Sequence, residues 1–255
     1  MTPKSASLLA ILAIATAPLS LNAQDEKPWT LASELGVSVF YGASQQSAVS
    51  LASDYDYEAD RLEFASAIGF DYGEAQSGTG DQFVNKRAWQ AAMTLDYLPA
   101  ARVSPFAIVN GEGSLSRQID RRLSGGFGAK VRFVDTSVSK LDLSAAALLE
   151  RTEPRTQAGQ PNIVDTAGRW SARLRGSRQF EDQRITTSLT TFFKPAISDF
   201  SGDYTLDMDA SLAIALNGSL SLKISLVNKY DSLAETRGAT SNTDGRFFVS
   251  ILAEH

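Results

Sequence analysis

The 255-residue chain has no cysteine, and its one histidine, His255, is the last residue. The first absence removes disulfides, thiol nucleophiles and zinc–thiolate sites. The second removes the usual partner of a catalytic serine and the commonest general base. A membrane-embedded lipid hydrolase of the Ser-His kind is therefore not expected, and no catalytic residue, cofactor or metal ligand is predicted. The net charge of −5 is mild and the basic residues are scattered, so no nucleic-acid-binding face is predicted.

Long apolar runs are missing too. Beyond the N-terminus no segment reaches the roughly eighteen consecutive apolar residues of a spanning helix. At the N-terminus, Lys4 precedes a mostly apolar stretch from Leu8 to Leu21, closed by Asn22-Ala23 and then by the polar Gln24-Asp25-Glu26-Lys27. A positive start, a short apolar centre and a small residue at the cut predict a secretory signal peptide over 1–23. The stretch is short and rich in Ala, Thr, Ser and Pro, unlike a membrane anchor. A brief periplasmic segment, 24–28, then leads into a single domain over 29–255.

In that domain nearly everything alternates. Leu123, Gly125, Phe127, Ala129, Val131 and Phe133 lie on one face, with Ser124, Gly126, Gly128, Lys130 and Arg132 on the other. After Asp135-Thr136-Ser137 the pattern restarts, with Leu141, Leu143, Ala145, Ala147 and Leu149 against Asp142, Ser144, Ala146 and Glu150. Side chains alternate faces along a strand, so this is a β-hairpin with one greasy and one polar side. Its arms run to roughly ten residues, the length a tilted strand needs to cross a bilayer. Similar stripes recur from Trp29 to Ile251. The clearest is Leu206, Met208, Ala210, Leu212 and Ile214 before Asn217-Gly218, a strong hairpin signal. The stripe through Val103, Phe106 and Ile108 is weaker, and Pro105 and Gly111 blur its register.

The count comes to about twelve strands whose connections alternate in length, as in bacterial outer-membrane barrels. Those after the second, fourth, sixth, eighth and tenth strands are tight. Those within Gly73–Asn85, Thr152–Asp165 and Asp231–Asp244 are long and polar. Tyr41, Tyr55, Tyr57, Tyr72, Trp89, Tyr97, Trp170, Phe193, Tyr204 and Tyr230 sit near strand ends, as interfacial girdles do. The predicted fold is all-β, an antiparallel up-and-down transmembrane β-barrel with both termini in the periplasm of a Gram-negative cell. A soluble periplasmic β-sandwich is the alternative, disfavoured by strand length, the exported context and the loop asymmetry. The partners this implies are outer-membrane lipid, lipopolysaccharide and the barrel-assembly machinery, with the chain itself a monomer.

Candidate functional residues are the charges on the polar faces: Lys130, Arg132, Asp142, Glu150, Arg169, Arg173, Arg175, Asp207, Asp209 and Lys223. Arg169, Arg173 and Arg175 could form an ion ladder with Asp142 and Glu150. Such charges either tune a narrow solute or ion channel or neutralise one another in a packed, non-conducting barrel. The pair Asp207 and Asp209 lacks the loop spacing of a calcium site and reads as lumen-solvated. Acids in the Gly73–Asp81 and Asp231–Asp244 stretches read as mobile polar loops rather than cation sites. Gly125-x-Phe-Gly128 has no following helix, so it is not a dinucleotide fingerprint.

Gln118-Ile119-Asp120-Arg121-Arg122 running into Leu123-Ser124-Gly125-Gly126-Phe127-Gly128 resembles an uncharacterised family of proteobacterial outer-membrane proteins, some called salt-induced outer membrane proteins. Trp29, Glu34-Leu35-Gly36 and Ser38 resemble that family's opening strand. Ala43 after Gly42, and Ala129-Lys130 after Gly128, depart from its pattern. The chain also ends Ile251-Leu252-Ala253-Glu254-His255 rather than in Phe, which shifts any assembly signal to the internal Phe247, Val249 and Ile251 stripe. The resemblance implies a barrel and supplies no activity; the activity expected is either narrow solute or ion passage or a structural, stress-related role in envelope integrity.

Overall fold

The computed structural model describes residues 28–40, 46–76, 81–155, 164–180 and 184–254. The predicted leader over 1–23 lies outside them. The strands are β1 (Trp29–Phe40), β2 (Gln46–Ala59), β3 (Leu62–Gln76), β4 (Gln82–Tyr97), β5 (Val103–Ser114), β6 (Ile119–Asp135), β7 (Ser139–Pro154), β8 (Asp165–Phe180), β9 (Ile185–Pro195), β10 (Tyr204–Ala215), β11 (Leu220–Asp231) and β12 (Thr243–Glu254). Each pairs antiparallel with its sequence neighbours, and β1 closes on β12 from Ala32↔Glu254 to Gly36↔Ser250. The twelve-strand ring has no free edge, so every strand finds its backbone partners inside the sheet. A sandwich is thereby set aside.

The two faces of this sheet are chemically inverted relative to a soluble protein. Phe127 is 77% exposed on the outside, Leu149 66% and Phe247 64%, within a continuous apolar exterior. Inside, the described buried apolar cluster amounts to Phe106, Ala146 and Leu148 with Ile108 against them. That is far too little apolar burial to hold a water-soluble domain of this size, and an exterior so greasy fits only lipid. The stripes therefore face outward as the alternation requires, and the protein is a transmembrane barrel.

Aromatic rings mark both rims of this exterior. Trp29 stacks on Tyr55 at 6.5 Å and Tyr55 tilts against Phe64 at the end carrying the termini. At the other end Tyr204 stacks on Tyr230 at 5.3 Å, with Phe193 beside Tyr204. Such girdles sit at the level of lipid headgroups.

The terminal end is also the tight-turn end. Thr136 and Ser139 bond three times across the β6–β7 turn: the Thr136 backbone N–H and hydroxyl both donate to the Ser139 carbonyl, and the hydroxyl accepts Ser139's N–H. Leu98 takes a left-handed φ of 52° ahead of Pro99 in the β4–β5 turn. The Asn217-Gly218 hairpin forms, but not as a two-residue turn. Residues 216–219 make the connection, and the Asn217 carboxamide accepts the N–H groups of Ser219 and Leu220 at 2.9 Å. An Asx turn of this kind needs no positive φ at Gly218.

At the opposite end the strands outrun the membrane. β6 has 17 residues and β4, β7 and β8 have 16 each, against the roughly nine to eleven that span lipid. The stretch Gly73–Asn85, expected as a loop, is mostly ladder: Gly73↔Lys86 and Gln76↔Gln82 pair, with a register shift between Gly73 and Glu74. β7 similarly continues to Pro154 before the 156–163 stretch, which lies outside the described residues. β5 is also more regular than expected: Gly111 pairs with Leu123, and the irregularity falls between Glu112 and Ser114.

Candidate functional site

The polar face of a closed sheet can only look into the lumen, so the lumen is where any site must be. Its charges fall into two layers. In the half nearer the long loops, Arg122 on β6 is the hub. Its Nη2 donates to Asp231 Oδ2 on β11 at 2.8 Å, its Nη1 to Glu112 Oε1 on β5 at 3.1 Å, and its Nε to Thr152 Oγ1 at 3.1 Å. β6 and β11 lie on opposite sides of the ring, so the first of these bonds crosses the lumen. Lys229 on β11 makes a second crossing, donating to Gln90 Oε1 on β4 at 2.9 Å and standing 3.8 Å from Glu112.

The loops tie into the same layer. Arg117, in the β5–β6 connection, donates to Glu112 Oε2 at 2.6 Å. Burial disfavours its charge, but the Glu112 carboxylate more than offsets this, and Arg117 holds its proton more tightly than an ordinary arginine. Ser116 donates to Asp244 Oδ2 at 2.6 Å across the barrel mouth. Between β11 and β12 a short 3-10 turn, Glu235–Arg237, brings Arg237 to 2.5 Å from Asp231. Burial pushes the Arg237 guanidinium below its ordinary value despite that carboxylate. Arg169 completes the layer, donating to Glu150 Oε1 at 2.6 Å and to Asp203 at 2.8 Å. Arg122, Glu150, Arg169 and Asp231 are all nearly inaccessible to water, a setting in which removing one partner costs about 3–5 kcal/mol.

The half nearer the tight turns is looser. Lys130 is paired with Asp96 and lies 3.7 Å from Glu63. Lys223 bonds Glu34 at 2.7 Å, and Ser250 supports the same carboxylate. Arg132 pairs with Asp135 at 2.6 Å and lies 3.8 Å from Asp142. Arg173 has no carboxylate partner among the described residues. It donates to Ser144 Oγ at 3.1 Å, with its guanidinium over the rings of Phe106 and Phe192 at 5.9 Å each. Arg175, Asp54, Asp56 and Asp209 form no salt bridge to another described residue.

All ten candidate charges thus occupy lumen-facing positions, but they do not make the expected ladder. One rung exists, Arg169 to Glu150. Arg175 stands opposite Asp142 in the β7–β8 register, yet Asp142 turns to Arg132 and Arg173 to Ser144. Asp207 is paired, with Lys194 at 2.7 Å, where solvation by water and arginine was expected. Sequence reasoning passed over Glu112, Arg122, Lys194 and Lys229, and it read Asp231 as part of a mobile loop, whereas Asp231 ends β11 and is buried against Arg122 and Arg237. Arg122 stood inside the Gln118–Arg122 segment that carries the family resemblance, and its inward parity on an alternating strand was the signal that could have found it.

Two lumen cavities, of about 380 and 160 Å³, share Ala67, Gln90, Asp209, Val227, Lys229 and Arg246 as a common wall. The space is wide enough for water and small solutes; the smaller cavity reaches Lys86, Arg117 and Asp244 at the loop end, and the cross-lumen bonds of Lys229 and Arg122 run beside it.

Among solved structures, the chain is similar to an outer-membrane channel from Pseudomonas putida F1, at 11% identity over 94% of this chain and 99% of that one, with a TM-score of 0.49. It is also similar to a KdgM porin in complex with disordered oligogalacturonate (10%, 88% and 98%, 0.45) and to an anion-selective porin from Comamonas acidovorans (8%, 89% and 99%, 0.40). No curated protein matches the chain in sequence. Residues 33–254 match the model described as protein of unknown function, DUF481, and the chain belongs to that family.

Proposed function

We propose that the protein is an outer-membrane barrel forming a narrow path for small polar solutes, held shut near its long loops by the Arg122 layer. The observation that carries this reading is the contrast between the two halves of the lumen. A barrel that served only as a scaffold gains from neutralising all its interior charges, yet Arg173, Arg175, Asp54, Asp56 and Asp209 form no salt bridge among the described residues, and Asp54 and Asp209 line the lumen cavities. Twelve strands enclose a lumen between the side-chain-filled eight-stranded barrels and the aqueous porins. A gated path is the natural use of that width. Cleavage after Ala23, both termini in the periplasm and contact with lipopolysaccharide at the loop end belong to the same proposal.

Swelling of liposomes carrying protein purified from outer membranes tests the reading. The wild type should admit arabinose slowly, and Lys229→Ala, which cuts one bond across the lumen, should admit it faster. Insertion of a folded barrel that admits nothing in either form would leave a non-conducting envelope scaffold, the reading that the near-complete pairing of the loop-end layer favours.

A further inference from the structure

The looser half of the lumen has walls of opposite sign. β8 presents Arg173 and Arg175 inward, and β2 presents Asp54 and Asp56. In the ring of twelve, β2 and β8 are diametrically opposed, six places apart either way. Because the strands are tilted, the ladder running sideways from Asp54 meets β8 at Ala167. Arg175 lies further along β8 toward the tight turns and is brought level with Asp54. On the acidic side, Lys223 is committed to Glu34 at 2.7 Å. The rings of Phe106 and Phe192 flank the Arg173 guanidinium, and Ser144 fixes its Nε.

A ring of one sign selects ions of the other sign. Facing walls of opposite sign do something else: they favour a solute carrying both charges, aligned across the bore. The guanidinium forks of the two arginines suit a carboxylate, and the two aspartates suit an ammonium. We infer that the tight-turn half of the lumen is a binding vestibule for small dipolar ions bearing an ammonium and a carboxylate, held between Arg173–Arg175 and Asp54–Asp56.

This inference rests on the reading of the lumen as a solute path, and the test separates the two. The probe is 4-aminobutyrate, compared with arabinose, in liposomes holding wild type, R173Q/R175Q or D54N/D56N, with ion preference read from reversal potentials in a KCl gradient. The wild type should take up 4-aminobutyrate faster than the sugar, on the order of tenfold, the low end of what a focused charge field does to local solute concentration. Both variants should lose that advantage, and their reversal potentials should move in opposite directions, toward cations for R173Q/R175Q and toward anions for D54N/D56N. Currents in all three forms with no zwitterion advantage and no opposed shift overturn the vestibule while keeping the path. If no form conducts, the path fails, and calorimetric titration of 4-aminobutyrate into the folded barrel decides the vestibule alone. Binding lost in both variants supports it, and no binding to the wild type overturns it.

Discussion

Gly128 faces the lumen from β6, where a Cβ would run into the Ala145 carbonyl oxygen and come within 2.7 Å of both Ala146 Cβ and the Phe106 ring. Its neighbour on the same face, Gly126, meets the Ala147 carbonyl in the same way. These two bare positions let β6 lie close against β7, and Gly128 leaves room for the Phe106 ring over which the Arg173 guanidinium sits. Gly128→Val should therefore displace the Phe106 ring and cost about 1–3 kcal/mol by overpacking, read as a lower urea midpoint of the refolded barrel. Gly218→Val, at a turn glycine with open space around it, should leave the midpoint nearly unchanged. At this scale the sequence was informative in one direction only. Alternation showed that Gly126 and Gly128 look inward. It did not show which ring Gly128 makes room for, because Phe106 reaches it from the neighbouring strand.

The alternation of a single strand carries most of what was legible at the next scale. Where one face meets lipid and the other the lumen, period two is strong, and β6, β7 and β10 stand where the stripes put them. Phe127, the most exposed of the large outward side chains, sits within the lipid-facing stripe of β6. Phe127→Arg should cost about 2–4 kcal/mol near the membrane midplane, seen as a reduced yield of the heat-modifiable folded form. The same substitution made on the lumen face, at Ser124, should be far better tolerated. Strand ends were harder to read. Gly73–Gln76 and Gln82–Asn85 project past the lipid with both faces wet, so no apolar stripe distinguishes their ladder from a loop. Phe247, Val249 and Ile251 do point outward from β12, the placement an internal assembly signal would need.

Taken whole, the molecule is a ring whose ends differ. Its lumen partners come from strands remote in sequence: Glu34 with Lys223 and Ser116 with Asp244 are joined only by closure of the barrel. No pattern along a chain announces such pairs, which is why the inward charges could be listed but the hub at Arg122 could not. Closure also explains the division of labour proposed for the lumen. The long strands and loops at one end bring enough side chains together to bridge the bore. The short turns at the other leave opposed charges unbridged. If the Arg122 layer is what shuts the path, single-channel recording in a planar bilayer should show it directly. Wild-type protein should carry a small, salt-dependent current, and Arg122→Met, which releases Asp231 from its cross-lumen bond, should raise that current while the barrel keeps its heat-modifiable fold. A folded, inserted Arg122→Met barrel that conducts no better than the wild type would contradict the account.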